Sequence, residues 1–519
     1  MERTLDATAS VGGLPSPQGI KPLIGTPVSY EKRLREIRDH AEYIKSGCTP
    51  EEREQLLAEF RRRFGSGDKP KEQRPGEFPD TKPNGDPALL EEFLKEEVHG
   101  NPYFTIERVR QAVDEVAKVV GADPKPEVNA LERLPTHVLK AFEDAGITVV
   151  GDHEYNLQVG SFKGGQYAPT FFDNLLRLNS DPSIKGIMFS SGNAIQGVLY
   201  TVKKLKELGM LREDFKVMMV AYSKLDKRKR ERILAFNKGG REVVEIKNAE
   251  DLFREFGQLV ERDKDFEVFR RRLRKEEDTG KQPDKLDPND LDDLHMIMEY
   301  YAWKNNLFHT PYSNTPGTIL GGAVMYHRIK EGARKAAEAD ANTAKKMPKA
   351  TVSKTTGKWG IAPHFVLMGL GGGSPGAGVA LGALLDGDID TLMVGCMPAD
   401  RPLTAIADSY QIPMIQWRGV KALKAFGSNR FQMADVLEEY IFKAFADLNQ
   451  AGYAVEPSGA IPLALLYMLL ADPKGREKIK GKTIALVFSG GNFKPETLEK
   501  AEEYYQQNRL GRVDYFKNN

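Results

Sequence analysis

Cysteine is nearly missing. Cys48 and Cys396 are the only two in 519 residues. Two thiols cannot build a disulfide framework or a four-cysteine zinc site, and their scarcity fits a reducing compartment, the cytoplasm. No metal-ligand set is assigned. An excess of charge of one sign is lacking too. Lys and Arg number 75 and Asp and Glu 74, a formal net charge of +1, which argues against a nucleic-acid partner that would require a basic face. No apolar run reaches the roughly 18 residues of a membrane span. The apolar stretch Ala460 to Leu470 is too short and contains Pro462. Met1 to Ser10 has no apolar core, so a secretory signal is not expected.

What is present is an ordinary globular share of hydrophobic residues, 40%. At about 100–150 residues per domain, the length suggests one large two-lobed enzyme or two to three domains. Residues 1–30 read as an arm. Tyr30 to Phe64 reads as helical, with Thr49-Pro50-Glu51-Glu52 as a helix start. Gly65 to Pro87 reads as a linker, and Phe104 to Val119 as a further helix. Together these make residues 1–125 a helical extension, serving as structure or as an oligomer arm.

From Ile147 the pattern changes to short β-branched runs alternating with amphipathic stretches. The expected strands are Gly186 to Phe189, Val217 to Val220, Glu242 to Ile246, Phe365 to Met368, Thr391 to Val394 and Ile484 to Phe488. The expected helices include Ala194 to Leu208, Lys224 to Asn237 and Val379 to Leu385. Strands apolar on both faces, alternating with helices, indicate an α/β fold with a parallel sheet. Arg262 to Asp293 and Arg328 to Lys358 read as charged insertions.

Polar or glycine-rich segments stand at the ends of the apolar runs: Ser161 to Gly165, Ser190 to Asn193, Gly371 to Gly378 and Ser489 to Asn492. Ligands of open α/β sheets bind outside the carboxyl ends of strands, so these turns suggest one shared site. Gly371 to Gly378 lies between a strand and a helix, where glycines admit close approach and free amides attract a phosphate. A P-loop would need Lys-Ser or Lys-Thr after the last glycine, and this turn has neither. Gly371, Gly373 and Gly376 do spell a dinucleotide turn, which keeps a nicotinamide-dependent Rossmann enzyme open.

Lys163 lies between Phe162 and Gly164-Gly165. In a pocket at a helix start, desolvation and the helix dipole would lower its pKa and favour the neutral amine that captures aldehydes. A phosphate cradle and a pocketed lysine are what pyridoxal phosphate requires. Ser190 to Asn193 offers hydroxyl and amide groups for a substrate carboxylate and a cofactor oxygen, or caps a helix. The Ser489 hydroxyl facing a pyridine nitrogen would keep the ring a weak electron sink, which suits elimination at Cβ.

In order and spacing these segments resemble the fold-type II pyridoxal-phosphate enzymes, the tryptophan synthase β-like superfamily, from about Asn129 to Asn492. Ser161-Phe162-Lys163 resembles the Schiff-base segment of threonine dehydratase and serine racemase. Ser190-Ser191-Gly192-Asn193-Ala194-Ile195-Gln196-Gly197 is similar to their substrate and cofactor loop. Gly371-Gly372-Gly373-Ser374 resembles the phosphate loop of tryptophan synthase β and D-serine dehydratase. Glu456-Pro457-Ser458-Gly459-Ala460 and Ser489-Gly490-Gly491-Asn492 are similar to the EPxGA and pyridine-nitrogen segments. Ala194 replaces the usual His, Ser374 replaces a glycine, and Cys396-Met397-Pro398 replaces a Glu-Pro. Phe308 to Gly322 loosely resembles a pocket-lining loop, with Thr318 as a polar contact.

The resemblance implies a two-lobed α/β fold with parallel-type sheets flanked by helices. Its large cofactor domain would be 126–165 with 250–519, and its small domain 166–249. It implies Lys163 and Ser489 as catalytic residues. Lys163, Asn193, Gly371, Gly372, Gly373, Ser374, Gly376 and Ser489 would hold pyridoxal 5'-phosphate. Ser190, Ser191, Gly192, Asn193 and Gln196 would hold a small amino acid. The expected activity is a dehydratase or ammonia-lyase on serine or threonine, in a cytoplasmic homodimer. The alternatives are β-replacement, as in cysteine or cystathionine synthases, and a non-catalytic sensor.

Overall fold

The computed structural model describes residues 104–121, 128–190, 193–221, 227–237, 243–248, 298, 301–302, 305–310, 316–339, 347–388, 390–399, 406–407, 431–493 and 495–507. The arm, helix and linker expected before residue 104, the insertion at 262–293, Cys48, Ser191 and Gly192 lie outside the described residues.

Along the chain, helix α1 (Ile106–Val120) leads to strand β1 (Val128–Ala130), α2 (Thr136–Asp144) and β2 (Thr148–Asp152). The single turn α3 (Lys163–Gln166) and helix α4 (Ala168–Ser180) follow. Then come β3 (Gly186–Phe189), α5 (Asn193–Glu207), β4 (Val217–Ala221), α6 (Lys227–Leu234) and β5 (Val244–Asn248). After β6 (Phe308–His309) the chain forms the long helix α7 (Pro316–Ala339) and the strand pair β7 (Thr351–Val352) and β8 (Trp359–Gly360). The rest is β9 (Phe365–Gly369), α8 (Ser374–Asp386), β10 (Leu392–Pro398), β11 (Phe431–Val436), α9 (Glu438–Gln450), α10 (Pro457–Ala471), α11 (Pro473–Ile479), β12 (Thr483–Val487) and α12 (Pro495–Gln507).

The strands form a six-stranded sheet in the order β1-β2-β12-β9-β10-β11 and a four-stranded sheet in the order β5-β4-β3-β6. Only β1 runs antiparallel to its neighbour among these described pairs. Parallel sheets carry helices on both faces, and so their strands are apolar throughout. Every residue of β2 and of β12 is accordingly buried. The α/β reading and its parallel sheets therefore hold.

Two expectations need correction. Arg328 to Lys358 is not a solvated insertion throughout. Residues 328–339 continue α7, and Lys330 on that helix is 1% exposed. The charge pattern misled because the lysine is paired internally, to Asp386 at 2.9 Å and Asp388 at 2.6 Å. The helix expected from Val379 already starts at Ser374. Pro375, with its fixed φ and no N–H to lose, suits the first helical turn, and it draws the end of the glycine turn into the helix.

Several glycines let α7 pack close to its neighbours. A Cβ on Gly332 would strike the side chain of Val128 on β1, and one on Gly382 would stand 2.8 Å from Tyr326 Cβ. At its start α1 is capped by Thr105, whose Oγ1 accepts from Arg108 N at 3.1 Å. The buried Arg108 guanidinium then clamps α1 to α4, donating to Glu115 at 2.9 Å and to both oxygens of Asp173 at 3.1 Å. The core beside β12 gathers Phe445, Leu448, Tyr467, Ile484, Leu486 and Phe488. The apolar stretch around Pro462 lies inside α10, which is buried over most of its length. Among the described residues no helix is long and apolar enough to cross a membrane.

Candidate active site

Parallel pairing places the carboxyl ends of β2, β12 and β9 on one edge of the large sheet. The segments expected to form a site leave from these ends and from β3. The Lys163 segment runs back along the end of β12: Phe162 N donates to Ser489 O at 3.0 Å, and Ser161 pairs with Gly490 in an isolated antiparallel bridge. The start of α5 lies against the same segment. A Cβ on Gly197 would strike the Lys163 carbonyl oxygen and stand 2.8 Å from the Lys163 Cβ. Only glycine permits that approach.

Asn492 ties three segments together. Its Nδ2 donates to Asn193 Oδ1 at 3.1 Å and to Val159 O at 2.8 Å, while its backbone N donates to Glu456 Oε2 at 3.1 Å. Arg232 of α6 donates to Asn492 Oδ1 at 2.9 Å. Glu456 N donates in turn to Gly490 O at 2.8 Å. The motifs at 190–193, 456–460 and 489–492, far apart in sequence, thus share one hydrogen-bonded junction beside Lys163.

The glycine turn is joined to the lysine by α7. Gln166 Nε2 reaches Thr318 O at 3.4 Å, and Thr318 Oγ1 reaches Ser374 Oγ at 3.4 Å, both long bonds. Backbone packing holds the geometry more firmly. A Cβ on Gly321 would lie 2.5 Å from Gln166 O, and one on Gly322 would lie 2.9 Å from Pro375 O. Gly373 precedes α8 with φ of 105°, a left-handed conformation that favours glycine. At Gly371 a Cβ would have no atom within 4 Å, so the turn borders open space there.

The Lys163 side chain keeps some accessible surface, yet desolvation lowers its ammonium pKa from 10.5 to about 7. Its Nζ donates to Gln166 Oε1 at 2.6 Å and lies 4.5 Å from the centre of the Phe162 ring. α3 is a single turn, too short for the helix-dipole contribution the sequence suggested, and burial alone lowers the pKa.

Of the other expected site residues, Ser190 caps α5, its Oγ accepting from Ile195 N at 3.3 Å. Asn193 is spanned to Asn492, and Ser374 is buried against Thr318. Ser489 stands half-buried at the end of β12, while Gly372 and Gly376 belong to the turn and the first turn of α8. Gln196 is 5% exposed, and its Nε2 is a buried donor with no partner among the described residues, as is the Ser161 hydroxyl. Buried polar groups are normally satisfied. Ser161 lies two residues before Lys163, and Gln196 precedes the Gly197 that packs on the Lys163 backbone, so both atoms fit a polar ligand.

Sequence reasoning left Gln166 and Asn492 without roles. Gln166 was findable, since a side chain three residues on lies on the same helical face as Lys163. The junction at Asn492 was not, because its partners come from remote segments. At the end of β2, burial pushes the Asp152 carboxyl up against the opposing pull of Arg328, 3.3 Å away, which also meets Glu154. That cluster carries no sequence motif.

No family model and no curated protein matches the chain. Solved structures do. A pyridoxal 5'-phosphate-dependent aspartate racemase superimposes with a TM-score of 0.50 at 14% identity, covering 76% of this chain and 97% of that one. The fold is fold type II. Threonine deaminase isoform 2 of Solanum lycopersicum matches at a TM-score of 0.46 and 18% identity, over 83% of this chain and 97% of its own. Diaminopropionate ammonia lyase of Escherichia coli matches at 0.48 and 12%, over 77% and 91%. Lys163 and the glycine turn of this chain stand at the carboxyl-end edge of the large sheet.

Proposed function

We propose that this chain is a pyridoxal-phosphate-dependent lyase that removes a β-substituent from a small amino acid such as serine or threonine. The observation that carries this reading is the junction around Lys163. An amine with a pKa near 7 is tied through α7 to a glycine turn that borders open space.

The residues fit the cofactor. The backbone N–H groups of Gly371 to Ser374 and of Gly376 and the Ser374 hydroxyl would receive the phosphate, and Lys163 would hold the aldehyde carbon. Asn193 and Ser489 would face the ring. When bound, the cofactor supplies an electron-withdrawing ring conjugated to the substrate nitrogen. The rest falls to side chains. Ser190, the 191–192 turn and Gln196 would hold the substrate carboxylate and fix the orientation of the Cα–H bond, a positioning effect. Lys163, its ammonium pKa lowered by burial, would take the Cα proton. Loss of the β-hydroxyl as water and hydrolysis of the remaining enamine then give a 2-oxo acid and ammonia. Ser489 cannot protonate a ring nitrogen as an acid would, which favours elimination over reactions needing a long-lived carbanion.

The same reading makes 126–165 with 250–519 the cofactor domain and 166–249 the small domain, in a cytoplasmic homodimer. Borohydride reduction of the purified protein loaded with pyridoxal phosphate, followed by peptide mass analysis, should place the adduct on Lys163. A panel of L- and D-serine and threonine should yield keto acid without any thiol. Product formed only with an added thiol would assign β-replacement instead. Absence of the adduct would refute the cofactor reading.

A further inference from the structure

Gln166 is 2% exposed, a primary amide buried beside the reactive amine. Its Oε1 accepts from Lys163 Nζ at 2.6 Å, the short contact of the group. Its backbone is fixed from the opposite side, since α7 passes so close at Gly321 that a Cβ there would stand 2.8 Å from Gln166 Cα. The amide nitrogen points to the Thr318 carbonyl on the same helix. One side chain therefore joins the amine to the helix that also packs on the glycine turn.

Resting on the cofactor reading above, we propose that Gln166 is the positioning residue for the Lys163 amine. Its amide oxygen holds the nitrogen at a fixed distance from α7, and so from the turn that would receive the phosphate. Burial sets the charge of the amine, and the neutral amide leaves that setting in place. A neutral acceptor at 2.6 Å steadies the ammonium without neutralising it, whereas a carboxylate in the same place would lock the proton on. Among the described residues packed against α3, Val116 and Val120 from α1, Leu157 and Val159 from the preceding loop, Gly197 from α5, and Gly321 and Thr318 from α7 carry no titratable side chain. On the same turn, the Tyr167 ring lies 5.7 Å from the ammonium.

The test is the rate at which the full-length chain captures pyridoxal phosphate on Lys163, trapped with borohydride and followed across pH. The wild type is compared with Gln166→Leu and Gln166→Glu. The plateau rate at high pH reads positioning, and the midpoint reads the charge of the amine. Gln166→Leu should lower the plateau about tenfold or more, the scale expected for a misplaced reacting group. Gln166→Glu, which keeps the shape, should raise the midpoint of the capture rate by about one to three pH units. An unchanged midpoint in Gln166→Glu overturns the proposal even where Gln166→Leu does not fold. A wild-type plateau in a folded Gln166→Leu overturns it as well. Failure of the wild type to capture the cofactor on Lys163 sinks the cofactor reading itself, and is a distinct result from either.

Discussion

A single methyl group at Gly378 tests whether α7 sets the spacing between the lysine and the glycine turn. In Gly378→Ala the new Cβ would strike Ile319 O and stand 2.6 Å from both Ala323 N and Gly322 C. These are backbone atoms and cannot rotate aside. Ordinary carbon contacts lie at about 3.5–4.0 Å, so α8 and α7 must part by roughly 1 Å. Overpacking of this kind costs about 1–3 kcal/mol. Alanine recovers roughly 0.5–1 kcal/mol through its better helix propensity. The net loss should be on the order of 1–2 kcal/mol, read as a lower urea midpoint with an unchanged slope. The same parting carries Ser374 away from Thr318, and pyridoxal phosphate should bind about tenfold more weakly, a change of ~1.4 kcal/mol. Gly371→Ala is the control. Its Cβ meets no atom within 4 Å, so its urea midpoint should match the wild type while the phosphate loses its close approach. The spacing argument fails if Gly378→Ala keeps both its midpoint and its cofactor affinity.

Lys330→Met removes the buried cation shared by Asp386 and Asp388 and should cost about 3 kcal/mol, with Ser353 Oγ, the Thr355 amide and His327 still holding Asp386; a loss under about 1 kcal/mol in urea denaturation would show that the ion pairs contribute little. His153 is held near pKa 4 by burial and by the Arg133 charge, stacked on Tyr453 with ring centroids 5.2 Å apart. The unfolded chain takes up this proton near pH 6.5 and the folded chain only near 4, so stability should fall as pH drops through that window. His153→Phe should flatten this part of the profile, and an identical acid limb would exclude His153 as its source. Burial raises the Cys396 thiol pKa, and the residue is fully buried. It should resist thiol reagents until the protein unfolds; labelling under native conditions would show that its surroundings open.

Much of this was legible because it depended on local pattern. The run Ile484 to Phe488 read as a strand from its apolar continuity, and β12 occupies Thr483–Val487. Gly371 to Gly378 read as a turn before a helix because glycine and proline punctuate the backbone. A lone lysine is usually a solvated charge, and Lys163 stood out because it lies between Phe162 and two glycines, just before the apolar stretch Tyr167 to Leu178. Residues 328–339 were misread for the opposite reason. Lys330 looks solvated in a basic stretch, and its carboxylate partners, Asp386 and Asp388, lie more than fifty residues away.

The sequence by itself determined the alternation of strands and helices and the chemical character of the turns, because period and composition act within a few residues. Tertiary structure decided which turns meet. Asn492 bridging Asn193, Val159 and Glu456, Gln166 against the Lys163 amine, and α7 between the lysine and the glycine turn all join distant segments. Such contacts form only when parallel strands bring their carboxyl ends to one edge, and backbone-to-backbone approach at Gly197, Gly321 and Gly378 then fixes the distances.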